Sequence, residues 1–321
     1  MSENITRRAF MKKVAGAGVL VATSSLPALA EDNPALFPER GGFERLSLSY
    51  STIHIGLKKS FSVMHISDTH LTAAYPHENE KKQTLCKVRT KTFGGRQEEA
   101  LRDSLEWAKK HVDYVVHTGD LIDWQSEANF DLVKKYFGKD MFGAVGNHEY
   151  SPDMWMSEPK ENTNEEYKDL SRKALSEVYP FDIDFHSQVI NGVNFIAIDD
   201  VYDTVTEKQV EKFKIEVKRG LPIVLCMHVP FFTNDIWRAS CRFWSNKPII
   251  TDSDICTGSY KKQQEDPVTR NFINYLKKEP LLKGILAGHQ HITAEERFSE
   301  TAIQYIVAGN FLFHAREIMF I

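Results

Sequence analysis

The chain reads as an α/β protein with mixed β-sheets, and three observations predict this. From Phe61 onward, short apolar runs alternate with amphipathic stretches, the pattern of strands layered with helices. The β-like run Phe181–Ile190 is followed by Asn191-Gly192 and then Val193–Ile198, which predicts a hairpin because Asn-Gly favours a tight turn. Polar residues able to bind metal recur just after the apolar runs, where α/β folds place their ligands.

The strands expected are Phe61–Ile66, Tyr114–His117, Met141–Val145, Phe195–Ile198, Pro222–Met227, Gly284–Ala287 and Ile303–Val307. Helices are expected at about 96–110, 126–137, 165–178, 206–219 and 267–278. In the first of these, Ala100, Leu101, Leu105 and Ala108 give one apolar stripe, with Glu and Lys on the other faces. Parallel strand–helix units plus one hairpin make the sheets mixed. From Phe231 to Lys262 no clean periodicity is visible, and the segment is read as an irregular insertion, either a binding loop or a plain surface excursion.

The 321 residues carry 40 Lys and Arg against 44 Asp and Glu, and 42% are apolar. That is ordinary globular composition, which argues against disorder and multi-span membrane proteins. The acidic balance argues against a nucleic-acid polymer as partner, though not against one small anion. The N-terminus reads Thr6-Arg7-Arg8-Ala9-Phe10-Met11-Lys12-Lys13, then a weakly apolar stretch from Val14 to Leu26, then Ala28-Leu29-Ala30. A basic start, a short apolar middle and a small-residue end read as an export signal over residues 1–30, with a lipid-buried anchor as the alternative. The paired arginines resemble a bacterial twin-arginine signal, so the export machinery of that type is an expected partner and the periplasm or exterior the expected location. The segment is too short and Gly-rich for a comfortable span, so no stable membrane span is expected in the mature protein. It holds four basic residues and one acid, which leaves 36 basic and 43 acidic side chains in residues 31–321, a net −7. Residues 31–321 are read as a single domain.

The cysteines fall at 86, 226, 241 and 256, with no CxxC spacing, which argues against a cysteine-based zinc site. Whether Cys241 and Cys256 pair is left open by the sequence. Cys226 sits in an apolar run and reads as a buried thiol.

Five polar groups carry the chemistry. Asp68-Thr69-His70 follows the first strand, and in extended backbone residues i and i+2 point the same way. Gly119-Asp120 follows the next, and a carboxylate offers two oxygens for two cations. Gly146-Asn147-His148-Glu149, His228-Val229-Pro230 and Gly288-His289-Gln290-His291 complete the series. Taken alone, each admits a plainer reading as a turn, an N-cap or a core-edge histidine. Together they form a set of oxygen and imidazole donors without thiolate, which favours Zn, Mn or Fe over Mg or Ca.

This ordered set resembles the calcineurin-like metallophosphoesterase superfamily, over nearly all of residues 31–321. The resemblance implies a four-layer α/β/β/α sandwich with two mixed sheets. It implies two divalent or trivalent metal ions (Mn, Fe or Zn), one held by Asp68, His70, Asp120 and His291, the other by Asp120, Asn147, His228 and His289, with Asp120 bridging. His148 takes the place of the catalytic histidine near the leaving group. The implied reaction is hydrolysis of small phosphate monoesters or diesters by metal-bound hydroxide. Purple acid phosphatases have a metal-binding tyrosine where this chain has Asp123, and protein Ser/Thr phosphatases have Asp-Arg-Gly where it has Asp123-Trp124-Gln125. The simple Gly-His-Gln-His is closer to small-substrate phosphatases and cyclic-nucleotide phosphodiesterases. A cyclic-nucleotide phosphodiesterase or nucleotidase is therefore the alternative, and a non-catalytic metal-binding protein the opposing class.

Around this set, Asp123 reads as either an orienter of a ligand histidine or a helix cap, and His65 and His117 as core or supporting residues. The 231–262 segment is net +2 and holds Trp237, Arg238, Arg242 and Trp244. These four are expected to form part of a substrate-binding rim, with Trp stacking on an organic leaving group and Arg meeting phosphate.

Overall fold

The computed structural model describes residues 45–138, 141–153, 165–245 and 259–321. The export signal over residues 1–30 and Cys256 lie outside the described residues.

Eleven strands and eight helices follow in the order β1 (Ser47–Ile53), β2 (Phe61–Ile66), α1 (Glu80–Thr92), α2 (Gln97–His111), β3 (Tyr114–Thr118), α3 (Glu127–Tyr136), β4 (Met141–Ala144), α4 (Glu165–Val178), β5 (Phe185–Ile190), β6 (Val193–Ile198), α5 (Glu207–Val217), β7 (Ile223–Cys226), α6 (Asn234–Ser245), α7 (Ser259–Glu265), α8 (Pro267–Leu276), β8 (Leu282–Ala287), β9 (Ala294–Arg297), β10 (Ile303–Ile306) and β11 (His314–Phe320), all among the described residues. One sheet has the order β1-β11-β2-β3-β4, the other β5-β6-β7-β8-β10-β9. Both are mixed. In the first, β11 runs antiparallel to β2 but parallel to β1. In the second, the β5–β6 hairpin and the β9–β10 pair are antiparallel while β6, β7, β8 and β10 run parallel.

The side-chain period of two builds the layers. Phe61 and Val63 of β2 face Val193, Phe195, Ala197, Val224 and Cys226 of the other sheet, in one core between the sheets. Met64 and Ile66 of β2 face outward and pack with Leu101, Trp107 and Ala108 of α2 and Val133 of α3. Ile196 and Ile198 of β6, with Ile223 and Leu225 of β7, pack with Phe213 of α5 and Phe272 and Leu276 of α8. The order of layers is therefore α/β/β/α. Strands covered on both faces read as continuous apolar runs, which is why β6, β7 and β8 were legible as such.

Helix ends agree with the sequence. Thr206 and Gln209 form a reciprocal capping box at the start of α5, and Asp266 caps α8 with Pro267 in its first turn.

Two expectations are corrected. The segment from Phe231 is not irregular throughout, since Asn234–Ser245 and Ser259–Glu265 are helical. The buried stripe of α6 is Ile236, Ser240 and Trp244, at helical spacing, and the serine hid the period. The hairpin strand starts at Phe185 rather than Phe181. Strands β1, β9 and β11 and helix α1 were not anticipated.

Candidate dinuclear metal centre

The loops after β2, β3, β4, β7 and β8 converge at one end of the two sheets, and each brings a polar group. The backbone there is unusual. Asp68, His70, Asp120, His289 and His291 all have φ between 50° and 65°, a left-handed conformation that is costly without glycine. The i and i+2 pairs thus share a target through paired left-handed residues, not through extended chain, which corrects the reason given by the sequence but not its outcome. Strain of this kind persists only where surrounding structure fixes it. Gly119 (φ 95°) provides part of that fit, because a Cβ there would sit 2.5 Å from His228 Nδ1 and 2.8 Å from Gly146 N.

The donor atoms form two adjoining groups. In the first, His70 Nε2 lies 3.2 Å from His291 Nε2 and 3.7 Å from Asp120 Oδ2, and His291 Nε2 lies 3.3 Å from Asp68 Oδ1. In the second, Asn147 Oδ1 lies 3.1 Å from both His228 Nε2 and His289 Nδ1, which are 3.2 Å apart. Asp120 Oδ2 stands between the groups, 3.3 Å from His228 Nε2. Asp120 Oδ1 is occupied by the backbone N–H of His148 at 3.0 Å.

These spacings fit cations. Bonds of about 2.0–2.2 Å from N and O donors to a four- to six-coordinate ion put neighbouring donors about 3.0–3.5 Å apart. The hydrogen bonds behind the ligands give the right tautomers: His70 Nδ1 meets Asp123 Oδ1 at 2.9 Å and His228 Nδ1 meets the Thr118 carbonyl at 2.8 Å. In each neutral ring this leaves the Nε2 lone pair facing the centre. A third cluster of His70, Asp123 and His148 donor atoms also has metal-like spacing. Its carboxylate is already forked by the Arg89 guanidinium at 2.6 and 2.9 Å, so a further cation there would meet a positive charge.

Electrostatics follow from burial and carboxylates. Burial pushes His70 down to about 4, with His148 adding to the effect. Burial likewise lowers His289 to about 3. For His148, burial acts downward, but Asp120 and Asp123 outweigh it and raise the group to about 9. His148 Nδ1 is held by Asp123, 2.9 Å from Oδ1 and 3.0 Å from the main-chain carbonyl. Its side chain is 14% exposed, and its Nε2 lies 3.9 Å from Asp120 Oδ2, beside the centre.

Several further residues support the centre. Glu149 is fully buried and accepts N–H bonds from Asp120, Leu121, Ile122 and Gly146 plus the Tyr179 hydroxyl. It ties the Asp120 loop to the Asn147 loop. Asp200 Oδ1 accepts from the N–H groups of His228 and Val229. His65 bonds the Thr118 hydroxyl and His117 the Thr69 hydroxyl, each at 2.9 Å, so both histidines hold motif threonines from inside the core. Arg89 had no signal, because α1 carries no apolar stripe.

Of the four rim residues, Trp244 is buried with its ring 5.3 Å from His291. Trp237, Arg238 and Arg242 line a depression of about 500 Å³ with Asp235 and Cys241. Arg238 is exposed and pairs with Asp235 at 3.6 Å. Cys241 has no disulfide partner among the described residues, and Cys256 lies outside them.

Residues 61–293 match the Calcineurin-like phosphoesterase family, and the chain belongs to it. It is accordingly a metal-dependent phosphoester hydrolase. No curated protein matches the chain. Among solved structures, it is similar to a dimetal phosphatase from Danio rerio (15% identity, 78% of this chain and 88% of that one, TM-score 0.47). It is also similar to a purple acid phosphatase from yellow lupin (11%, 79% and 45%, TM-score 0.45) and a 5'-nucleotidase from Candida albicans (13%, 86% and 47%, TM-score 0.37). The chain spans about half the length of these last two.

Proposed function

We propose that the protein is an exported phosphoesterase that hydrolyses small phosphate monoesters or diesters at a dinuclear centre. In this reading Asp68, His70, Asp120 and His291 hold one ion, and Asp120, Asn147, His228 and His289 the other. The observation that carries it is Asp120 Oδ2, which lies within 3.3–3.7 Å of an imidazole nitrogen from each group. When bound, two such ions supply Lewis-acid stabilisation of phosphoryl charge and an activated water; Mn, Zn and Fe suit the mixed N and O donors.

The chain's own residues do the rest. His148, whose Nε2 lies 3.9 Å from Asp120 Oδ2, donates in its protonated form to the departing oxygen. Asp123 holds its Nδ1 and stabilises the charged ring. Phe93, stacked on His70 at 4.3 Å, and Phe311, 4.8 Å from Phe93, exclude water from one side of the centre. Trp244 packs beside His291, an aromatic neighbour suited to a substrate that carries a planar ring, whether an aryl leaving group or a nucleobase, which keeps nucleotides and cyclic nucleotides as the more specific reading.

Export rests on Arg7-Arg8 and the Ala28-Leu29-Ala30 end of the leader. Among the described residues, no helix is long and apolar enough to cross a membrane.

The test is turnover of p-nitrophenyl phosphate and bis-p-nitrophenyl phosphate by metal-stripped protein resupplied with Mn, Zn or Fe. Metal-dependent release of nitrophenol is expected, and the ratio of the two rates assigns monoester or diester preference. Metal binding without turnover of either ester would favour the opposing class, a non-catalytic metal-binding protein.

A further inference from the structure

Arg89 lies in the last turn of α1, outside every motif. Its Nε meets Asp123 Oδ2 at 2.6 Å and Nη2 meets Asp123 Oδ1 at 2.9 Å. Asp123 is fully buried, and Arg89 is 21% exposed. The same Oδ1 also lies 2.9 Å from His70 Nδ1 and 2.9 Å from His148 Nδ1. One carboxylate therefore orients two imidazoles that face different tasks, and a two-point fork fixes the plane of that carboxylate. Arg89 braces His70 a second time. Its guanidinium carbon lies 4.9 Å over the Phe93 ring, which itself stacks on His70.

We propose that Arg89 is a positioning residue of the phosphoesterase centre, acting through Asp123 to aim His70 at the ions and His148 at the leaving group. The inference rests on the dinuclear reading given above. An arginine that served to bind the substrate phosphate would keep its fork for that anion. Here Nε and Nη2 are spent on Asp123. Without the fork, Asp123 is left with imidazole partners alone and its carboxylate plane is free to turn. Both rings then lose their fixed direction. A lysine keeps the charge but supplies a point rather than a fork, so it restores the function only in part.

The experiment compares wild type, Arg89→Met and Arg89→Lys, with folding checked by thermal melting. Two quantities are read: the Mn²⁺ dissociation constant of the metal-stripped protein by calorimetry, and kcat and KM for p-nitrophenyl and phenyl phosphate. Arg89→Met is expected to weaken Mn²⁺ binding and lower kcat by about 10–100-fold each, with KM within about threefold. The kcat loss is larger for phenyl phosphate, the poorer leaving group, and Arg89→Lys falls between the extremes. Unchanged Mn²⁺ affinity, or a loss confined to KM, overturns the proposal. If Arg89→Met fails to fold, Arg89→Lys decides by the same two readouts. A wild type that binds Mn²⁺ but hydrolyses neither ester would sink the phosphoesterase reading, while the affinity comparison still decides the role of Arg89.

Discussion

His70 and His291, 221 positions apart in the chain, face each other with their Nε2 atoms 3.2 Å apart. Asp123 accepts a hydrogen bond from His70 Nδ1–H, so the neutral ring turns a lone pair toward its neighbour. Two such nitrogens in a buried site repel unless a cation or proton lies between them. Substitution of His291 by alanine is therefore expected to weaken metal binding rather than destabilise the fold. Metal content per chain, measured after dialysis against micromolar Mn²⁺, should drop while the melting temperature of the stripped protein rises or stays level.

His148 is expected to separate chemistry from metal binding. His148→Ala should retain its metal yet lose about 10²–10⁴-fold in kcat, the usual worth of a positioned acid. Single-turnover rates on p-nitrophenyl and phenyl phosphate check this, because the loss must grow as the leaving group worsens. Full activity with bound metal would remove the assignment.

The close approach of the motif loops has a steric consequence at Gly119. Both Gly119 and Gly192 have positive φ, but only Gly119 faces close neighbours, while Gly192 opens to space. Gly192→Ala is expected to cost about 1 kcal/mol, and Gly119→Ala about 2–3 kcal/mol more because it adds overlap with His228 and Gly146. Urea midpoints of the two variants test the ranking. Equal costs would mean that the loops yield more easily than their packing implies.

Away from the centre, His186 links stability to pH. It stacks on Phe181 at 4.2 Å and lies 4.6 Å from Phe142, and burial holds it down at about 4. An unfolded histidine titrates near 6.5, so between these values the unfolded chain binds the extra proton. The stability His186 contributes is full above pH 6.5 and is lost as pH falls toward 4. Relative to His186→Phe, wild type should lose on the order of 1 kcal/mol between pH 7 and pH 5. Parallel pH profiles for the two proteins would contradict this.

Much of this was legible in the sequence because function and fold left coincident marks. Apolar runs such as Ile223–Cys226 are buried on both faces and lead through Met227 to His228, so strand and ligand were read together. Helix α1 was invisible for a physical reason. Its residues, Glu80–Thr92, bury Leu85 alone, which leaves no stripe to find, and Arg89 was lost with it. Helix α6 was missed because Ser240 stands in the middle of its buried face. The left-handed conformations of Asp68, His70, His289 and His291 leave no mark either, since no glycine announces them. Strands β1 and β11 pair with each other across the chain's length, and no local pattern records a partner so distant.

The central claim is that one carboxylate, Asp120, serves two ions. Calorimetric titration of metal-stripped wild type and Asp120→Asn with Mn²⁺ tests it most directly. Wild type should bind two ions per chain, and Asp120→Asn should weaken both sites together. Two ions bound by the variant with unchanged affinity, or a single site in wild type, would contradict the account.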